Sequence, residues 1–122
     1  MALDHIGFTV TDFPKSKAFY LAVLTPLGMS VVSEGEGWVL LGTDGRAELW
    51  LGGGTAPGPI HLAFKAQTRE AVQAFHAAAL AAGGRDNGAP GIRGHYHPNY
   101  YGAFVFDPDG HNIEAVCHTD PA

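Results

Sequence analysis

The chain has 122 residues, 46% of them apolar and 16% charged, a balance that suits one compact globular domain and excludes a disordered one. Its net charge of -5 comes without any cluster of Lys and Arg, so nucleic acid finds no electrostatic footprint. No apolar run approaches the ~20 residues that cross a bilayer, and the opening residues lack the basic and apolar stretches of a signal peptide. The single cysteine, Cys117, reads as a small buried hydrophobe in a reducing, cytoplasmic setting.

The first predicted element is an alternating strand over residues 3–10. A helix follows, capped by Thr11 or Asp12, with Pro14 in its first turn and Phe13, Phe19, Tyr20, Val23 and Leu24 as its apolar face. Gly28 ends it by supplying a left-handed residue. Three strand-like runs come next, over residues 30–33, 37–41 and 47–51, the last two joined by the turn Thr43-Asp44-Gly45. Residues 52–59 are a Gly/Pro-rich linker. The order then recurs. A strand over 60–66 leads into an alanine-rich helix, capped by Thr68 and ended by Gly83-Gly84. Strands are expected over 91–97, 101–107 and 112–118, with Asp107-Pro108-Asp109-Gly110 as the turn between the last two.

This recurrence is an internal repeat. One offset of 56 residues pairs His5 with His61, Phe8 with Phe64, Phe19 with Phe75, Leu24 with Leu80 and Gly28 with Gly84. The chain is thus predicted to be an α+β fold of two βαβββ modules in tandem, about 1–55 and about 56–122, within one domain of residues 1–122.

Seven histidines in so short a chain direct attention to metal or proton chemistry. His5 and His61 open the first strand of each module, and Glu48 and Glu114 lie on the last strand of each. Alternation along a strand puts each histidine beside a small residue, Gly7 or Ala63. Glu114 lies between Ile113 and Ala115, where an unpartnered buried carboxylate is costly and a metal partner removes the cost. Two imidazoles and two carboxylates suit one divalent ion per site, Zn, Ni, Co, Mn or Fe(II), with positions left for two adjacent substrate oxygens. Residues 93–102 add one cation, two histidines and three tyrosines. From this segment Arg93, His95, His97 and Tyr100 are candidate substrate-binding residues, able to hold an anionic group or relay protons. Trp50, on the face of Glu48, is a candidate pocket wall. His111, beside the Asp109-Gly110 turn, is expected on the surface, as is His76 on the second helix. His118 shares the face of Glu114, within reach of a supporting role beside it.

The sequence resembles the vicinal oxygen chelate superfamily of glyoxalase I, bleomycin-binding and fosfomycin-resistance proteins, extradiol dioxygenases and methylmalonyl-CoA epimerase. The carriers are Asp4-His5-Ile6, Phe19-Tyr20 through Leu27-Gly28, residues 59–64, and the run 106–114 that ends at Glu114. The resemblance implies curved mixed sheets around a metal-binding cleft, a homodimer, and a small-molecule substrate. It also implies His5, Glu48, His61 and Glu114 as ligands and Glu114 as the catalytic base, with Glu48 as the other proton-moving candidate. The implied activity is a metal-dependent lyase or isomerase that moves a proton next to a carbonyl. A non-catalytic binding or resistance protein and an Fe(II) dioxygenase are the alternatives. Thr9 stands where glyoxalase I carries an arginine for glutathione, and Gly52 where an amide is expected, so the resemblance does not extend to a glutathione conjugate.

Overall fold

The computed structural model describes residues 3–119; Met1, Ala2 and residues 120–122 lie outside it. The chain runs β1 (Ile6–Val10), α1 (Phe13–Leu24), a single 3₁₀ turn (Thr25–Leu27), β2 (Ser30–Gly35), β3 (Trp38–Thr43) and β4 (Arg46–Gly53). The second module runs β5 (His61–Lys65), α2 (Arg69–Ala81), β6 (Arg85–Ile92), β7 (Tyr101–Phe106) and β8 (Asn112–Cys117). The two sheets have the same order, β1-β4-β3-β2 and β5-β8-β7-β6, each with one parallel pair and two antiparallel pairs. The twice-repeated α+β architecture is therefore present. Among the described residues no helix is long and apolar enough to cross a membrane.

Local chemistry sets the element ends. The Asp12 side chain accepts from the Lys15 amide at 3.2 Å and caps α1, and Thr68 accepts from the Ala71 amide at 3.0 Å and caps α2. Gly28 and Gly83, with φ of +88° and +91°, take the left-handed conformation that closes each helical segment. The helices pack against each other, α1 on the first sheet and α2 on the second. Phe19, Tyr20, Val23 and Leu24 of α1, and Val72, Phe75 and Ala79 of α2, are buried. They meet the inward residues Leu49 and Leu51 of β4 and Ile113, Ala115 and Cys117 of β8 in one continuous core.

Three expectations are corrected. The strand predicted over 91–97 is instead β6, Arg85–Ile92, and residues 93–100 are turns. Gly88 and Pro90 lower the strand signal of β6, which is tolerated because it is an edge strand with two register shifts against β7. His111 is 1% exposed rather than on the surface. Its Nδ1 accepts from the Ile60 amide at 3.1 Å, and its ring lies edge-on to Phe8 with centroids 5.7 Å apart. His76 is half-buried and pairs with Asp86 at 2.9 Å.

A buried knot joins the modules. The Tyr20 hydroxyl of α1 donates to Asp107 Oδ2 at 2.5 Å, and Asp107 Oδ1 accepts from the amides of His111 at 2.8 Å and Asp109 at 3.0 Å. Burial, then the charge of Asp107 and the hydrogen bond to it, raise the Tyr20 pKa far above the ordinary phenol value. The folded chain thus keeps a proton that the unfolded chain loses near pH 10. This contribution is complete below about pH 10 and falls above it by up to about 1.4 kcal/mol per pH unit. Urea midpoints recorded from pH 9 to 11 should drop along this slope, and Tyr20→Phe should flatten it.

Candidate functional site

In the second module the parallel pair β5–β8 sets His61 opposite Asn112 and Ala63 opposite Glu114. His61 and Glu114 project from the same face of the sheet. His61 Nε2 lies 2.8 Å from Glu114 Oε1, and the Tyr100 hydroxyl donates to Glu114 Oε2. Glu114 is 1% exposed, so both oxygens of a desolvated carboxylate are satisfied by side chains. An ionised Glu114 only accepts, so the hydrogen of this bond is carried by His61 Nε2. The His61 side chain is 55% exposed and thus connects the buried carboxylate with water. Burial, followed by the hydrogen bond to Glu114 and its charge, raises the Tyr100 pKa; the Arg93 charge partly opposes this.

The geometry depends on Gly102 of β7. A Cβ there would lie 3.2 Å from the Tyr100 ring and 3.6 Å from Glu114 Oε2, in the space the phenol crosses to reach the carboxylate. Residues 93–100 fold back over this face, held by Arg93 N to Tyr100 O at 2.7 Å and Tyr100 N to His97 O at 3.1 Å. Their rings form a chain: His95 on Tyr96 at 4.1 Å, Tyr96 on Tyr100 at 4.6 Å, and His97 on His118 at 4.9 Å. His97 Nδ1 accepts from the Asn99 amide at 3.1 Å, so its Nε2 carries the hydrogen it gives to His118 Nδ1 at 2.7 Å. His118 stands edge-on to Tyr100 at 5.4 Å and supports the Glu114 partner instead of touching Glu114. Phe104, which no sequence argument singled out, faces Glu114 across the β7–β8 ladder. Its ring lies 6.3 Å from that of His61 and 5.4 Å from the Arg93 guanidinium carbon. Its one sequence signal is that it lies two residues beyond Gly102 on the same face of β7.

The first module is built differently. Just ahead of β1, His5 is exposed, its Nδ1 2.7 Å from Asp4 Oδ1. Glu48 Oε1 accepts from the Thr43 hydroxyl at 2.7 Å. His5 and Glu48 share a cavity of about 250 Å³ with Thr43, Leu27, Met29 and Phe64. The register shows why the modules differ. Gly7 pairs with Trp50, as Ala63 pairs with Glu114, and Leu40 faces Trp50, as Phe104 faces Glu114. Trp50, not Glu48, thus occupies the place in the first module that Glu114 holds in the second. Glu48 is two residues, about 6.6 Å, further toward the start of its strand. The Trp50 side chain fills the space beside Gly7 and over Gly52.

The four side chains that the sequence suggested as one cluster are accordingly two pairs. His61–Glu114 is bonded, while His5 and Glu48 share a cavity and have other partners. Among the described residues no group of three or more His, Cys, Asp or Glu is placed to hold one ion. A donor set of imidazole and buried carboxylate fits a divalent ion at His61–Glu114. The register shift of Glu48 does not fit a four-donor cage within one chain.

The sequence pattern of the Glyoxalase/Bleomycin resistance protein/Dioxygenase superfamily matches residues 2–115. The chain belongs to this superfamily. A solved glyoxalase/bleomycin resistance protein from Albidiferax ferrireducens T118 superposes with a TM-score of 0.84 at 29% identity, over 96% of this chain and 99% of that one. A family enzyme from Burkholderia phytofirmans PsJN gives 0.74 at 22% identity, over 98% and 100%. A glyoxalase-related enzyme from Fulvimarina pelagi gives 0.72 at 20% identity, over 96% and 88%. The last two likenesses speak for the fold alone. A search of curated proteins gives no significant match. The superfamily spans lyases, binding proteins and dioxygenases, so the reaction has to be argued from the site.

Proposed function

We propose that this superfamily member binds a small compound with adjacent oxygens on the Glu114 face of the second sheet and moves a proton on the carbon next to its carbonyl, as a lyase or isomerase does. The observation that carries this reading is Glu114: a carboxylate 1% exposed, with His61 on one oxygen and Tyr100 on the other. A base withheld from water and joined to an imidazole at the solvent edge has the parts of a proton relay. Rotation of His61 uncovers Oε1, which takes the proton from carbon, and the electron pair of that C–H bond becomes the enolate. The rotated His61 takes the abstracted proton from Oε1 on its ring nitrogen with a free lone pair and gives a proton to water from the other, and return of a proton to carbon by the same path completes the cycle. His61 and Glu114 are also the residues that would hold a divalent ion, which when bound polarises a carbonyl oxygen as a Lewis acid.

The test is solvent exchange. Hydroxyacetone in D₂O, followed by proton NMR with and without added Ni, Zn, Mn or Fe(II), should lose its signals next to the carbonyl faster with the protein than without it. Exchange at the background rate under every metal condition counts against proton transfer. It would favour a second reading, that of a binding protein. That reading has its own support in Trp50, half-buried over Gly7 and Gly52 as a flat apolar wall where the first module would otherwise carry a carboxylate. Quenching of tryptophan fluorescence by an aromatic ligand, lost in Trp50→Leu, would mark it.

A further inference from the structure

We propose that Arg93 forms an anion subsite beside the Glu114 centre, so that the compound bound in this cleft carries a carboxylate next to its carbonyl group. The inference rests on the proton-transfer reading for the identity of the neighbouring centre, but its own observations are separate. The Arg93 guanidinium is seated in a cradle. A Cβ on Gly88 would lie 3.1 Å from its Nη2, and one on Gly91 would lie 3.1 Å from its Nη1, so a side chain at either position of β6 would press on the group where it now sits. Phe104 supplies the floor, with the guanidinium carbon 5.4 Å from its ring centroid. One of the five N–H donors is satisfied by the Ala89 carbonyl at 2.8 Å. No carboxylate pairs with Arg93 among the described residues.

A half-buried cation fixed by packing, with donors left over and no counter-ion, is preorganised for a carboxylate, whose two oxygens match the guanidinium fork. The position gives the subsite its meaning. The Phe104 ring lies 5.4 Å from the Arg93 guanidinium carbon and 6.3 Å from the His61 ring, and it faces Glu114 across the ladder. A carboxylate held at Arg93 therefore directs the neighbouring carbonyl, and the C–H beyond it, along the ring toward the Glu114–His61 pair. Small 2-oxo acids have this arrangement of groups.

Pyruvate and its neutral amide, pyruvamide, separate the possibilities without any variant. In a two-dimensional NMR titration pyruvate should shift the Gly88 and Gly91 amides and the Arg93 side-chain resonance, and pyruvamide should bind at least tenfold more weakly. Arg93→Gln should weaken pyruvate at least tenfold, and Arg93→Lys should fall between, keeping the charge and losing the fork. Equal binding of the two probes, no shift at Gly88 and Gly91, or wild-type affinity in Arg93→Gln would each overturn the proposal. The methyl group of pyruvate reports on the neighbouring reading in the same tube. Binding at Arg93 without methyl deuteration, with or without added Ni, Zn, Mn or Fe(II), keeps the subsite and removes the proton-transfer assignment, whereas deuteration at full affinity in Arg93→Gln does the reverse.

Discussion

Glu114→Gln should lower the rate of solvent exchange at the carbon next to the carbonyl by about 10²–10⁴, the range that a positioned general base contributes. The substitution keeps the shape of the side chain and removes the acceptor-only character of its two oxygens. In the native chain His61 and the Tyr100 hydroxyl both give hydrogen to Glu114. The amide has one oxygen, so one partner then meets an NH₂ group in a site that is 1% exposed. The NH₂ group can donate to the Tyr100 hydroxyl oxygen or, after a change of tautomer, to His61; where neither happens one bond is lost, at about 1–3 kcal/mol for an unsatisfied buried donor. The expected signature is thus a large loss of exchange with a modest fall in the urea midpoint. Glu48→Gln serves as the contrast, since the register puts Glu48 two residues from the matching place on β4. It should change exchange by less than about threefold. Exchange at the wild-type rate in Glu114→Gln would remove Glu114 from the chemistry.

The contrast between the two glutamates also shows what the sequence could and could not convey. One offset of 56 residues carried the first strands and the helices, because His5, Phe8, Phe19 and Leu24 have like partners at that spacing. The last strands follow a different offset, 64, which pairs Leu49 with Ile113 and Trp50 with Glu114. Matching glutamate to glutamate hides this, because a slip of two residues preserves the face of a strand and leaves the apolar alternation intact. The slip is visible only in the ladder register. Likewise, Asp107-Pro108-Asp109-Gly110 reads correctly as a turn, and turns are read as wet. This one is folded under α1, and it takes His111 inside with it. The role of Tyr100 was half legible. Its place in an aromatic loop marked it for the cleft, but its bond to Glu114 depends on Gly102 across a strand boundary, which no local pattern encodes.

The largest loss of stability is expected from Asp107→Ala. Its carboxylate is 4% exposed and accepts three hydrogen bonds, two from the backbone of its own turn and one from the Tyr20 hydroxyl of the other module. Truncation leaves the Tyr20 hydroxyl, in a residue 0% exposed, without its acceptor and the turn amides without theirs. Hydrogen bonds to a charged group are each worth about 1.5–3 kcal/mol, and a stranded buried donor costs about 1–3 kcal/mol. Because the turn amides regain water in part, a net loss of about 3–5 kcal/mol is expected, a large share of the roughly 5–15 kcal/mol that holds a domain together. Tyr20→Phe should cost less, about 1–2 kcal/mol, since it removes a donor and leaves a carboxylate that still has two partners. In the double variant Tyr20→Phe/Asp107→Ala the losses should not add, because each single change breaks the same bond. Urea unfolding of the four proteins measures this coupling directly. Strictly additive losses would mean that the Tyr20–Asp107 bond does not tie the two modules together.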